Sequence, residues 1–251
     1  MLDLEIVGEG ATTKIYRDGD KAIKLYVNTP PNEAENEARL QSYAVKMGLP
    51  VPIVYGVRKI DDSLTALDME YISGKPLMHE KMNSSERHIA IQTMVKLQCS
   101  VYSVNAVGLP KQSDKIKWKI KQNNYIDKAV KENLLSLLND LDTCSSNLCH
   151  GDFHPLNTMF DGKRYWIIDW VDASAGNPLA DVCRTYLIFK QFSLRLSGIY
   201  LCYFCKESGT TQNDILSWLP VIAAARMSEN MDNKARMSLM KIIDEWKAVN
   251  L

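Results

Sequence analysis

Short runs of β-branched and aromatic residues mark the first 72 positions. Thr13–Arg17 and Lys21–Tyr26 are such runs, and the Asp18-Gly19 pair between them tolerates the positive φ of a tight hairpin turn. Pro30-Pro31 stops the second run, because proline lacks a ladder donor. Glu33–Met47 is rich in Ala and Glu and free of proline. It predicts a helix that Gly48 ends, with Pro50 and Pro52 just beyond. Two further strands are predicted near Val54–Ile60 and Leu64–Tyr71. After Gly74 the pattern turns helical. Asn83 with Glu86 fits a capping box, and Ile89, Met94, Leu97 and Val101 supply an apolar face. Ile126, Val130, Leu134, Leu137, Leu138 and Leu141 form a second helical stripe. A short β interlude at Asn157–Ile168 carries another Asp-Gly turn, Asp161-Gly162, and helices are predicted again from Pro178. The expectation is an α+β chain: a small five-stranded, β-rich front with one helix, then a larger, mostly helical rear. Ser73-Gly74-Lys75-Pro76 is the natural linker.

Composition narrows the function. Thirty Lys+Arg balance thirty Asp+Glu, so no global basic footprint exists for nucleic acid, and no nucleic-acid partner is expected. With 46% hydrophobic residues the 251-residue chain is globular rather than disordered. Six cysteines are too sparse for a disulfide scaffold. The opening residues show no basic region followed by an apolar one, and Ile199–Cys205 is the longest apolar run, too short for a membrane span of ~20 residues. A cytoplasmic protein with reduced thiols and no membrane partner is therefore expected. The balance is uneven: residues 1–72 hold 12 acids and 8 bases, whereas residues 172–251 hold 8 acids and 9 bases.

The informative segment is Cys149-His150-Gly151-Asp152-Phe153-His154-Pro155-Leu156-Asn157, followed by Ile167-Ile168-Asp169-Trp170. It sets two acids and an amide on a loop and at a strand end. Phosphoryl transfer needs such a set. Mg²⁺ takes oxygen ligands, which Asn157 and Asp169 supply. A separate carboxylate, Asp152, must accept or orient the proton of the attacking hydroxyl.

His-Gly-Asp-x-x-x-x-Asn followed by Ile-Asp-Trp resembles the catalytic loop and metal-binding strand of the aminoglycoside phosphotransferase family, whose fold is protein-kinase-like and two-lobed. The resemblance spans nearly the whole chain. Gly8-Glu9-Gly10-Ala11-Thr12-Thr13 resembles a degenerate glycine-rich loop, with Thr13 in place of the third glycine. Ala22-Ile23-Lys24 resembles the strand with the ATP lysine, and Glu37 the helix glutamate that pairs with it. Met69-Glu70-Tyr71-Ile72-Ser73-Gly74 resembles the hinge that holds adenine. The resemblance implies nucleotide contacts from Gly8, Gly10, Lys24 and Glu37, from the Glu70 carbonyl and from the Ile72 N–H. It places His154 where a protein kinase has a lysine facing the γ-phosphate, beside the base Asp152. It also implies an aspartate, Asp181, that steadies the catalytic loop from a helix begun by Pro178. The lobes would then be a nucleotide-binding unit at 1–72, a hinge at 73–77, and a helical unit at 78–251 with the catalytic loop and acceptor site.

The expected activity is an ATP (or GTP) dependent kinase using Mg²⁺. It would phosphorylate a hydroxyl of an amino sugar, aminoglycoside or amino alcohol, as a monomer or homodimer. Two rivals stand beside it: a nucleotide-binding pseudokinase or scaffold, and a protein kinase. Gly151 replaces the arginine that would pair with a phosphorylated activation loop, and only six residues separate Asp169 from Gly176, which opposes a peptide acceptor. Aminoglycosides are polycations and call for a carboxylate-rich pocket. The rear is balanced, and Asp172, Glu229 and Asp232 remain candidates in it as individual acids. Zinc at Cys149, His150 and His154 is disfavoured, since no second ligand pair has finger-like spacing. Cys202 and Cys205 read as buried small hydrophobes rather than a redox pair, and the Lys111–Lys121 stretch as a solvated, partly mobile segment, with a nucleic-acid or anionic-substrate contact as the alternative.

Overall fold

The computed structural model describes residues 5–9, 13–142 and 144–250. Gly10, with Ala11 and Thr12 of the glycine-rich loop, lies outside them. Strands β1 (Glu5–Glu9), β2 (Thr13–Asp18) and β3 (Lys21–Val27) precede helix α1 (Pro31–Lys46). Strands β4 (Val54–Lys59), β5 (Leu64–Glu70) and β6 (Lys75–Pro76) follow. Next come α2 (Ser84–Tyr102), α3 (Gln112–Gln122) and α4 (Lys128–Leu141). Short strands β7 (Asn147–Cys149), β8 (Thr158–Phe160), β9 (Tyr165–Ile167) and β10 (Ser174–Gly176) lead into the helical tail. That tail is α5 (Pro178–Phe192), α6 (Leu194–Ser208), α7 (Gln212–Leu216), α8 (Leu219–Arg226) and α9 (Asn233–Asn250). The class is α+β, as expected. Among the described residues, no helix is long and apolar enough to cross a membrane.

Contacts group the chain into two units. The first is Met1–Lys81 with Pro155–Asp172, and the second is Met82–His154 with Ala173–Leu251. This grouping differs from a division at residues 73–77. Residues 155–172 return to the first unit because β8 pairs with β6 and the Ile167 N–H donates to the Pro50 carbonyl at 2.8 Å.

In the first unit an antiparallel sheet runs in the order β1-β2-β3-β5-β4. Asp18 pairs with Lys21, so the hairpin loop is Gly19-Asp20, one residue later than the expected turn. Gly19 has a φ of 59°, at the first loop position where a two-residue hairpin favours glycine. Helix α1 packs its buried Ala34 against Tyr26 and Leu67 of the sheet. Beyond it, β6, β8 and β9 form a second sheet. Gly74 is required there: a Cβ would lie 2.9 Å from the Phe160 carbonyl oxygen.

In the second unit, Asn83 and Glu86 form the reciprocal capping box at the start of α2. Val130, Leu134 and Leu138 bury one face of α4. The lysine-rich stretch is helix α3 rather than a loose segment. Ile116 and Ile120, one turn apart, are buried, while Trp118 between them is 62% exposed. The cysteine expectation is also corrected: on α6, Cys202 is exposed and Cys205 half-buried, and both are free thiols. Strand β10 pairs with β7, so the chain after Asp169 enters a sheet within five residues.

Candidate active site

In the first unit, β3 carries Lys24 between β2 and β5, where strand alternation turns Ala22, Lys24 and Tyr26 to one face. Lys24 is 6% exposed and Glu37, on α1, is 1% exposed. The Lys24 ammonium donates to both Glu37 carboxylate oxygens, at 2.8 and 2.9 Å, and to Asp169 Oδ1 at 3.0 Å. Burial lowers the lysine's pKa, but the carboxylates of Glu37 and Asp169 outweigh it, so the net shift is upward and the charge stays on. The Tyr26 hydroxyl also donates to Glu37 Oε2. Burial and the glutamate's charge push that phenol's pKa up, so it remains a donor. Tyr26 is absent from the sequence-derived set, although its spacing of two from Lys24 on a strand is a signal that could have found it.

The β8–β9 hairpin places Asn157 and Asp169 at its open end. Thr158 pairs with Ile167, and the next pair outward joins the Ile168 N–H to the Asn157 carbonyl at 3.0 Å. Asp169 has a φ of 65°, a left-handed conformation that aspartate tolerates better than most residues. Asn157 and Asp169 line one pocket of about 410 Å³ together with Lys24 and Glu37. Gly8, Glu70 and Ile72 border the same pocket, and Ile15, Ala22 and Met69 add apolar wall. The Glu70 side chain is occupied elsewhere: its Oε2 accepts from the Ile53 N–H at 3.2 Å, and its own N–H donates to the Ile53 carbonyl. Any nucleotide contact from Glu70 therefore falls to its carbonyl, as the resemblance implies.

In the second unit the segment His150–His154 follows β7. Asn177 caps α5 through the Leu179 N–H, and Pro178 is the first helical residue. This aims Asp181, buried in the first turn, at the loop. Its carboxylate accepts from the N–H groups of His150 (3.1 Å) and Gly151 (3.0 Å) and from the Tyr102 hydroxyl (3.1 Å). Burial raises the Asp181 pKa and those donors oppose it, leaving it raised. Gly151 takes a φ of 85°, which turns the chain into Asp152. The Asp152 N–H donates to His150 Nδ1 at 3.2 Å, so that nitrogen presents its lone pair. Thr185 holds the other side of the loop through the Phe153 carbonyl at 2.8 Å.

His154 and Arg184 both meet the Asp152 carboxylate. His154 Nε2 lies 3.2 Å from Oδ2, and Arg184 Nη2 lies 3.1 Å from Oδ1. Burial raises the pKa of Asp152, but the hydrogen bond from His154 and the charge of Arg184 dominate, so it sits well below the ordinary carboxylate value. Arg184 also binds Glu229 Oε1 at 2.6 Å. Sequence reasoning missed Arg184. One signal for it exists: Asp181 and Arg184 are three apart on α5 and share a helix face. Glu229 is not an open acid for a polycation, because Arg184 and Lys119 (2.8 Å) already bind it. Those charges offset its burial and hold its pKa at about 2.

The model of the phosphotransferase enzyme family matches residues 3–212. No curated protein matches the chain in sequence. Among solved structures, aminoglycoside phosphotransferase APH(4)-Ia is similar at 17% identity, covering 100% of this chain and 94% of that one, with a TM-score of 0.72. A thermostable mutant of APH(4)-Ia in ternary complex with ADP and hygromycin B is 16% identical over 99% of this chain and 94% of that one, TM-score 0.73. Choline kinase LicA from Streptococcus pneumoniae is 14% identical over 97% and 94%, TM-score 0.69. At these identities the likeness to solved structures shows a shared, kinase-like fold.

Proposed function

The chain belongs to the phosphotransferase enzyme family, and from that membership we propose that it moves the γ-phosphoryl group of ATP or GTP to a hydroxyl of a small molecule. The observation that carries this reading is Lys24, held as a buried cation between Glu37 and Asp169 on a pocket also lined by Asn157. A fixed ammonium beside phosphate oxygens lowers the cost of charge building up there during transfer. The apolar wall of Ile15, Ala22 and Met69 suits a purine, with the Glu70 carbonyl and Ile72 N–H as its edge contacts.

The donor set fits magnesium, since Asn157 offers an amide oxygen and Asp169 a carboxylate, both hard ligands on one pocket. When bound there, Mg²⁺ would neutralise phosphate charge. In the second unit Asp152 is the proposed base. Arg184 and His154 keep it ionised and fix both its oxygens, so it can take the acceptor's hydroxyl proton. The acceptor oxygen then forms its bond to the γ-phosphorus as the bond to the β–γ bridging oxygen breaks, and the nucleoside diphosphate leaves. A small-molecule acceptor is supported over a peptide by the strand β10, which ties down the segment after Asp169.

A coupled ADP- or GDP-release screen tests this over amino sugars, aminoglycosides, amino alcohols, nucleosides and sugars, with each nucleotide. Acceptor-dependent release that Asp169→Ala abolishes is expected. Nucleotide binding without acceptor-dependent release across the panel would favour the scaffold reading instead.

A further inference from the structure

Helix α8 is buried from Pro220 to Arg226, and the side-chain amide of Asn123, just past α3, ties it down by donating to the Ala224 carbonyl at 2.8 Å. The chain then turns. The Ser228 N–H donates to the Ala225 carbonyl, and the Glu229 N–H to the Arg226 carbonyl at 2.9 Å. That turn sets the Glu229 carboxylate among cations from three helices. Arg184 of α5 donates from Nη1 to Oε1 at 2.6 Å, Lys119 of α3 reaches the same oxygen at 2.8 Å, and Arg226 of α8 places Nε 3.7 Å from Oε2.

A guanidinium is a planar fork, so holding one nitrogen aims the other. Arg184 gives Nη1 to Glu229 and Nη2 to Asp152 Oδ1, and the bond to Glu229 is the shorter, 2.6 against 3.1 Å. Arg184 is thus anchored at Glu229 and reaches Asp152 from there. Other charges act on the pair. Asp181, three residues before Arg184 on α5, is directed at the N–H groups of His150 and Gly151, and Asp152 also faces His154 and the charge of His150. Removing Glu229 would release Nη1 and leave the fork able to pair bidentately with Asp152, the usual arrangement of an arginine and a carboxylate.

We propose that Glu229 is a positioning residue for phosphoryl transfer: it holds Arg184 by one nitrogen so that the other meets a single oxygen of Asp152, while Lys119 and Arg226 keep Glu229 itself in place. This rests on the reading of Asp152 as the base. Glu229 then serves the base rather than the acceptor.

The test is a kinetic cycle. Coupled ADP release from magnesium-ATP is measured with glucosamine, kanamycin, choline, adenosine and glucose as acceptors, for the native protein, Glu229→Gln, Arg184→Met and the double variant. Glu229→Gln keeps the shape of the side chain and removes its charge. It should lower kcat about tenfold and leave the KM for ATP within about twofold. Glu229→Asp should recover part of the loss. In the Arg184→Met background Glu229→Gln should have no further effect, because it acts through Arg184. Native kcat in Glu229→Gln, losses that multiply in the double variant, or a loss confined to KM for ATP would overturn the proposal. Should Glu229→Gln unfold the protein, Lys119→Gln loosens Glu229 from the part-exposed side in the same cycle. A loss of about twofold to threefold that vanishes in Arg184→Met is then expected, and one that multiplies overturns the proposal. No ADP release by the native protein with any of these acceptors would overturn the phosphotransfer reading and the proposal with it. Release that falls in Arg184→Met but not in Glu229→Gln would overturn the proposal alone.

Discussion

The two units each hold a cluster of carboxylates and cations, and the clusters differ in burial. Around Lys24 two carboxylates share one ammonium, and the pair with Glu37 is buried. Around Asp152 and Glu229 the cations Lys119, Arg184 and Arg226 gather, and the group is partly exposed. The first cluster is short of positive charge, which a divalent cation on Asn157 and Asp169 would supply when a polyphosphate arrives. In the second, Arg184 with His154 and Lys119 holds Asp152 and Glu229 ionised. A fold-level likeness to aminoglycoside phosphotransferases does not by itself transfer an acceptor class, which has to be argued from the residues around Asp152, the proposed base.

The sharpest way to break the comparison is Asp152→Asn. If Asp152 is the base, acceptor phosphorylation should fall about 10²–10⁴-fold, while nucleotide affinity, read by titration with AMP-PNP, stays within a few-fold. Next is Lys24→Met. It leaves Glu37 buried with Tyr26 as its remaining donor, so stability should drop by about 3–5 kcal/mol, measured by urea unfolding, and nucleotide affinity should fall as well.

Arg184→Met probes the second cluster alone. Misplacing the base should lower kcat by about tenfold to a hundredfold, with Arg184→Lys recovering part of it. The pH dependence has a definite sign. In the folded protein Asp152 and Glu229 titrate below their ordinary values of 3.8 and 4.5, Glu229 at about 2. Their contribution to stability is complete above those ordinary values and is lost as pH falls through the folded ones. Without Arg184 both folded values rise. The acid limb of kcat/KM should then move upward, and acid unfolding should begin at higher pH; limbs that superimpose would remove Arg184 from the account. The smallest effect is expected from Tyr26→Phe, which removes one donor from Glu37 but leaves Lys24. It should cost about 1.5–3 kcal/mol and leave the pH limb set by Asp152 in place.

What could be read from the sequence depended on how local the signal was. The Asn83–Glu86 box and the α4 stripe rest on spacings of three and four residues, and both are present. The helix in Lys111–Lys121 carried the same signal in Ile116 and Ile120, but alternating lysines masked it. Strands β7 and β10, of three residues each, are too short for an alternation pattern, and only their pairing defines them. Lys24 and Glu37 gained meaning through the motif resemblance, since a lysine on a strand says nothing of a buried partner thirteen residues on. Contact between Arg184 and Asp152, thirty-two residues apart, depends on where α5 begins and which way it faces. Charge counts over the rear of the chain could not show that Glu229 is already bound by Arg184 and Lys119; that is a matter of geometry.

The most direct test follows the γ-phosphorus of ATP by ³¹P NMR with a responsive acceptor, comparing the native protein with Asp152→Asn at saturating nucleotide. A phosphomonoester resonance that grows with the native protein and is nearly absent with the variant, at matched AMP-PNP affinity, is the predicted result. Ester formation by Asp152→Asn at an undiminished rate would contradict the assignment of Asp152 as the base.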